Sequence, residues 1–179
     1  MPAVSRKLTL IAALVWLVPV PLWSRAPLRT CADRARCRVD VGDDLRLSTR
    51  WTHAHHWRDL DTLHLRLVDD DGAVLAWVRY TEASNELALC RAEADCDRGV
   101  RVGSPVMLES GPWAVLDVGQ SRVQGSGPEG SSVDVTLVFR FKPDAGGGTY
   151  RMETLAVDDE GTHHLPMSRG SLTVTPRGT

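Results

Sequence analysis

Ser131-Ser-Val-Asp-Val-Thr-Leu-Val-Phe-Arg-Phe-Lys-Pro-Asp-Ala-Gly-Gly-Gly-Thr-Tyr-Arg-Met-Glu-Thr-Leu-Ala-Val157 carries the clearest structural signal in the chain. Val133, Val135, Leu137, Phe139 and Phe141 alternate with Asp134, Thr136, Val138, Arg140 and Lys142. A helix would spread the first five side chains around its circumference, whereas a half-buried strand sets them all on one face. Pro143 and the glycines at 146 to 148 end that strand, and Tyr150 opens another, expected over Tyr150 to Val157 and paired with the first. The pattern implies an antiparallel all-β domain, a sandwich by class.

The rest of the chain agrees. Val39 and Val41, then Leu45 and Leu47, alternate with polar neighbours around Gly42-Asp43-Asp44. Leu63, Leu65 and Leu67 precede the turn Asp69-Asp-Asp-Gly72, and Val74 to Tyr80 returns as the second arm of a hairpin. That arm is apolar on both faces, which implies a central strand. Strands are expected at 86–90, 106–109, 113–118 and 121–124, with a long polar loop over 91–105. Ser171 to Thr175 is expected to close the sheet. Eight or nine short strands without an amphipathic helix are the signature of a sandwich.

The chain has 179 residues, enough for one domain of about 150. With 21 basic and 23 acidic residues the net charge is −2, so no bulk field points to nucleic acid. All the basic residues except Lys7 and Lys142 are Arg, a bias that fits a GC-rich bacterial genome better than an Arg-specific function. Arg6 and Lys7 precede an uncharged, mostly apolar run from Leu8 to Trp23, as in an export signal. Ser24-Arg25-Ala26 offers a cleavage site that Pro27 weakens, so residues 1–26 read as a signal peptide or an uncleaved anchor. Residues 27–37 then form a linker with a cysteine loop, and 38–179 the sandwich. Membrane contact is expected only through the first segment, and the domain itself outside the cytoplasm.

Cys31 and Cys37 are six residues apart, as are Cys90 and Cys96. An even number downstream of an export signal reads as disulfides. The five intervening residues exceed the two to four or so usual at zinc sites. Local pairs are favoured by the repeated spacing; crossed bridges between the two regions are the alternative.

Asp144-Ala-Gly146 followed by Tyr150-Arg-Met152 resembles the strand-F region of immunoglobulin-like domains, with Met152 where the core cysteine would stand. Ala156-Val-Asp-Asp-Glu-Gly161 resembles a strand end common in bacterial extracellular modules. Residues 57 to 174 as a whole resemble Ig-like modules of bacterial secreted and surface proteins. The resemblance implies an Ig-like sandwich with Tyr150, Met152, Phe139 and Phe141 as structural residues, and no common chemistry.

Three groups of residues stand as candidates for chemistry. His53 and His55 would share one face of a strand beside His56, a two-ligand arm for zinc or copper, with His163 and His164 far downstream. Asp69, Asp71, Asp158 and Asp159 sit in acidic turns that could collect calcium between adjacent loops, since that ion takes about six to eight oxygens. Trp51, Trp57, Trp77 and Trp113 would serve a sugar-binding face if exposed together. No nucleophile elbow or phosphate loop occurs. The reading is therefore an exported, non-catalytic structural, adhesive or binding module of the bacterial envelope, needing no cofactor, with an unidentified protein or glycan partner. A carbohydrate-binding module, or a metal-dependent enzyme on the same scaffold, is the alternative.

Overall fold

The computed structural model describes residues 29–32 and 36–177. The expected export segment, residues 1–26, lies outside them. Thirteen strands follow one another: β1 (Arg29–Cys31), β2 (Arg36–Asp40), β3 (Asp44–Thr52), β4 (Leu60–Val68), β5 (Val74–Thr81), β6 (Glu86–Ala92), β7 (Asp95–Cys96), β8 (Val100–Arg101), β9 (Met107–Ser110), β10 (Ala114–Gly125), β11 (Ser132–Phe141), β12 (Thr149–Asp158) and β13 (His163–Thr175). Two 3-10 turns, Trp57–Asp59 and Pro143–Ala145, are the only helical pieces among the described residues. One sheet has the order β1-β3-β11-β10-β9; the other runs β2-β13-β12-β4-β5-β6-β7, with β8 also beside β6.

The two sheets share one core. From the first sheet, Leu45 and Leu47 of β3, Leu116 of β10 and the five alternating residues of β11 are buried. Leu63, Leu65 and Leu67 of β4, Met152 of β12 and Leu172 of β13 oppose them from the second. Phe139 lies across from Leu45 and Leu116, and Leu137 across from Leu47. Phe139 and Phe141 stack with ring centroids 5.9 Å apart. On the outer face of β11, Arg140 is exposed while Asp134, Thr136 and Lys142 are half-buried. Val138 on that face is buried, and its N–H donates to Ser121 Oγ at 3.2 Å, where β10 bulges between Asp117 and Arg122.

Several expectations are corrected. β11 and β12 do not pair: β11 lies between β3 and β10, and β12 between β4 and β13, in the opposite sheet. The reason is the connection. Pro143–Ala145 winds a 3-10 turn, and the glycine run then carries the chain across to the other sheet, where a tight hairpin would have kept it. Tyr150 braces this crossing by donating its hydroxyl to the Ala145 carbonyl at 3.2 Å. The same hydroxyl occupies the space that a Cβ at Gly148 would need. Residues 171–175 do not close their sheet either; they belong to the longer β13, and β2 lies parallel beyond it at the edge. The segments expected at 113–118 and 121–124 are one bulged strand, and β7 and β8 interrupt the expected loop over 91–105. The described strands therefore outnumber the eight or nine expected.

The described residues of the stretch expected to be a linker, 29–32, 36 and 37, belong to the fold. β1 runs parallel to β3 in one sheet and β2 parallel to β13 in the other. The disulfide Cys31–Cys37 thus ties the edges of two different sheets, with its Cα atoms 5.8 Å apart. Cys90–Cys96 instead staples one hairpin, β6 to β7. Both bridges are local pairs.

The alternation on β11 has a direct energetic consequence. Phe139→Ala should destabilise the protein by about 3–5 kcal/mol, as emptying a fully buried aromatic site does. Thr136→Ala removes only a half-buried hydroxyl 3.0 Å from Ser48 Oγ and should cost about 1 kcal/mol or less. Urea melts of the two variants test this, and comparable losses would contradict the strand's facing.

Candidate functional site

One end of the sandwich gathers four connections. The β3–β4 loop is bonded to the β10–β11 loop through His53 N–H to Ser131 O at 2.8 Å and Trp57 N–H to Gly130 O at 2.9 Å. Its 3-10 turn meets the β12–β13 turn through Asp159 N–H to Asp59 O at 2.9 Å. Arg58 lies 4.6 Å over the Trp57 ring and reaches Glu82 in the β5–β6 turn at 2.6 Å. Trp57 is the pillar of this end: buried, with its indole N–H donated to Gly127 O at 2.9 Å. Its ring fills the space beside Gly125, so any Cβ there would overlap the indole.

Around that pillar the fold assembles a histidine and carboxylate cluster from segments more than a hundred residues apart. His53 Nδ1 lies 3.3 Å from Asp59 Oδ2, and His56 Nδ1 3.8 Å from the same oxygen. His56 Nε2 lies 3.1 Å from Glu129 Oε2 in the β10–β11 loop. His164, at the start of β13, brings Nε2 to 3.6 Å from Asp158 Oδ2. The His53 ring stands edge-on to His55 and His164, with centroids 5.8 and 6.4 Å away. A cavity of about 350 Å³, lined by His53, Ala54, His55, Asp59, Asp158, Asp159 and Glu160, opens between the two loops. The Asp158 carboxyl is fixed by its own turn: Oδ1 accepts the N–H of Thr162 at 2.8 Å and of Glu160 at 3.1 Å. The Thr162 bond, followed by that of Glu160, holds the carboxyl below its ordinary range.

The second acidic turn is elsewhere. Asp158 pairs with Leu60 at the start of β4, whereas Asp69 and Asp71 follow Val68 at its far end, beside Arg151. Nine residues of β4 separate the turns, about 30 Å at the rise of a strand. The two acidic groups therefore cannot share a calcium ion between adjacent loops, which corrects that expectation. Asp69 is occupied as a turn cap, its Oδ1 accepting the N–H of Asp71 at 3.0 Å and of Ala73 at 2.7 Å.

The tryptophans are likewise dispersed. Trp51, Trp57 and Trp77 are buried, and only Trp113 among the described tryptophans is exposed, so no shared sugar platform forms.

His64, buried on the outer face of the eight-stranded sheet, was not singled out by the sequence reading; its place in a strand gave no signal. Trp77 Nε1–H donates to His64 Nδ1 at 3.0 Å, and an indole nitrogen can only donate. The neutral ring must then carry its proton on Nε2, which donates to Thr62 Oγ1 at 3.3 Å. His64 therefore cannot serve Thr62 as a base. Burial, and after it the Arg79 cation, push its pKa down to about 4. The β6–β7 hairpin lies above it: Glu93 at the hairpin's turn reaches His163 of β13 at 3.2 Å, across the three strands between. Arg66 completes this outer layer, lying 5.1 Å over the Trp77 ring and bonded to Glu153 at 2.7 Å.

No family model matches the chain, and no curated protein matches it significantly. Among solved structures, a chain from the structure of PbICP-C in complex with falcipain-2 is similar, with a TM-score of 0.36 and 10% identity. The similarity covers 85% of this chain and 94% of that one. A likeness so distant carries nothing about fold or function.

His64 makes stability depend on pH. Between its unfolded value of 6.5 and its folded value of about 4, the unfolded chain binds a proton that the folded chain refuses. Stability is therefore whole above pH 6.5 and falls as the pH drops toward 4. Between pH 7 and pH 5 the loss should be about 2 kcal/mol by linkage. His64→Gln, which does not titrate, should lose that increment in urea melts. Equal acid slopes in the two proteins would remove His64 from the account.

Proposed function

We propose that this chain is an exported, non-catalytic immunoglobulin-like module of a bacterial envelope, structural or adhesive in role, acting through the loop end built around Trp57. The observation that carries the reading is the strand order. β3, β11 and β10 on one sheet, and β13, β12, β4, β5 and β6 on the other, follow the succession B-E-D and G-F-C-C′-C″ of variable-type immunoglobulin domains. Tyr150 supports it further: it enters β12 two residues before the buried Met152 and returns its hydroxyl to the backbone at Ala145, as a tyrosine corner does. In that plan the B–C, C′–C″ and F–G loops gather at the recognition end, and here they are the loops at 53–59, 82–85 and 159–162.

Export is supported by the two disulfides, which persist in an oxidising compartment. The non-catalytic part rests on how the polar groups are committed. His64 is locked between Trp77 and Thr62, and Asp69 and Asp158 cap their own turns.

Expressed with a C-terminal epitope tag in a bacterial host, the full chain should be recovered outside the cytoplasm with Cys31–Cys37 and Cys90–Cys96 intact by non-reducing peptide mapping. A reduced cytoplasmic pool would overturn the export reading. Replacing the exposed loop residues His56, Glu129 and Glu160 together by Ala should weaken binding to isolated envelope fractions while moving the melting temperature by no more than about 3 °C, as surface changes do. Undiminished binding would remove the loop end from the role.

A further inference from the structure

We propose that the free edge of β9 is a docking site for an extended segment of a partner protein, one that alternates apolar and polar residues and carries a Lys or Arg. The segment adds to the five-stranded sheet as a further strand and seats its apolar side chains in the notch beside Trp113. The inference goes beyond the loop-end role above and concerns a different part of the surface.

β9 ends its sheet: β10 pairs with Met107–Ser110 on one side, and no described strand pairs on the other. The Val106 carbonyl accepts the N–H of Val118 at 3.0 Å, so the backbone groups of Leu108 and Ser110 face β10 as well. By alternation, Met107 and Glu109 turn their N–H and C=O groups outward, and a free row of such groups is a template for another strand. The opposite sheet continues past this edge. Ser110 Oγ donates to the Leu75 carbonyl of β5 at 3.0 Å, which fixes β9 over β5. The register of β5 with β6 stops at Val78 and Leu89. There a notch of about 410 Å³ opens, lined by Leu75, Trp77, Leu89 and Trp113, with the exposed Arg91 and Asp97 beside them. A strand added to β9 would direct every second side chain toward this notch.

Two further observations select the occupant. Val106, Met107 and Trp113, on β9 and its flanks, are three of the four large apolar side chains exposed among the described residues. Such grouping marks an interaction surface, whereas single exposed apolar residues do not. The charges set the sign of the partner. Asp97 is paired with Arg91 at 2.8 Å and Glu109 with Lys142 at 2.8 Å. Asp117, across from Met107 on β10, meets only Gln120, at 2.6 Å, and no cation among the described residues. The edge thus carries one carboxylate more than its cations neutralise, which complements a Lys or Arg on the added strand. A second copy is disfavoured, because two β9 edges joined antiparallel would set their Glu109 side chains near one another on one face.

The test uses the full oxidised chain and a panel of capped pentapeptides Thr-Φ-Lys-Φ-Thr, where Φ is Val, Leu or Phe. In titrations followed by amide resonances, at least one peptide should saturate a single site. The amides of Met107 and Glu109 should shift and gain protection from hydrogen exchange, while those of Leu108 and Ser110, already facing β10, change little. Methylating the backbone nitrogen of Lys, or instead those of the two Φ residues, should abolish binding in one case and spare it in the other, because only alternate N–H groups face β9. Trp113→Ala should weaken binding about 10-fold, as loss of an aromatic anchor does. Glu109→Lys should weaken it about 5-fold, and a peptide with Glu in place of Lys should recover the loss. Met167→Ala, at the fourth exposed apolar side chain, should change nothing. Near-ultraviolet circular dichroism verifies that each variant keeps its tertiary structure. Absence of saturable binding across the panel overturns the proposal, as do shifts that spare Met107 and Glu109. Binding that survives both methylation patterns would make the notch a site for small apolar molecules and overturn it equally. So would a dimer of the chain alone that protects the same two amides. None of these outcomes bears on the loop end, whose role is measured with envelope fractions.

Discussion

The structure depends on two striped surfaces meeting face to face. β3 and β11 present Leu45, Leu47, Leu137 and Phe139 inward at alternate positions, and β4 and β12 answer with Leu63, Leu65, Leu67 and Met152. With a side-chain period of two, a slip of one residue in any of these strands would turn its whole apolar set to water. Each inner strand is therefore held in register by the burial of its neighbours. The crossing between the sheets at residues 142–148 is a consequence of this. β12 must place Tyr150 and Met152 in the core from the second sheet, and the Tyr150 hydroxyl ties the approach to Ala145.

The two disulfides share a sequence spacing but act on different parts of the molecule. Each closes a loop of similar length, so by the loop-entropy model each restricts the unfolded chain by a similar few kcal/mol, about 2–3. Their structural roles diverge. Cys31–Cys37 bridges the short parallel strands β1 and β2, which lie in different sheets, and closes one side of the sandwich. Cys90–Cys96 fixes a hairpin that lies above His64 and Trp77 on the outer face of the eight-stranded sheet. That face consequently holds a small second interior, in which a neutral histidine and an indole satisfy one another.

At the loop end the electrostatics have a different character. The contact of His56 with Glu129 is open to solvent on both sides, and that of His164 with Asp158 is open on the histidine side. Exposed pairs of this kind contribute about 0–1 kcal/mol each. They are not what holds the loops together; the backbone bonds and the buried Trp57 do that. The cluster is thus a set of donor atoms on a rigid support, which is the condition for recognising a ligand without reorganising the fold.

Much of the fold was legible in the sequence because period-two burial is a local property. The alternation from Val133 to Phe141, the apolar stretch from Val74 to Tyr80 and the turns at Asp69 and Asp158 all correspond to observed elements. The repeated cysteine spacing favoured local pairing and left crossed bridges open; the structure has the local pairs. What spacing could not reveal was partnership at a distance. Nothing local distinguishes a seven-residue connection that makes a hairpin from one that crosses between sheets, so the β11–β12 pairing was misread. The same limit hid the loop end. His53 had no carboxylate at a recognisable spacing because its neighbour is Asp59, on a turn whose direction depends on Trp57, and the Asp158 that lines the same cavity lies over a hundred residues later. Asp69 and Asp158 looked like equivalent acidic turns, and only the antiparallel pairing of β4 with β12 put them at opposite ends. The sequence by itself determined which residues face inward, since that depends on neighbours one and two positions away. The tertiary structure alone decided which loops meet, since that depends on strand order, a property of the whole chain.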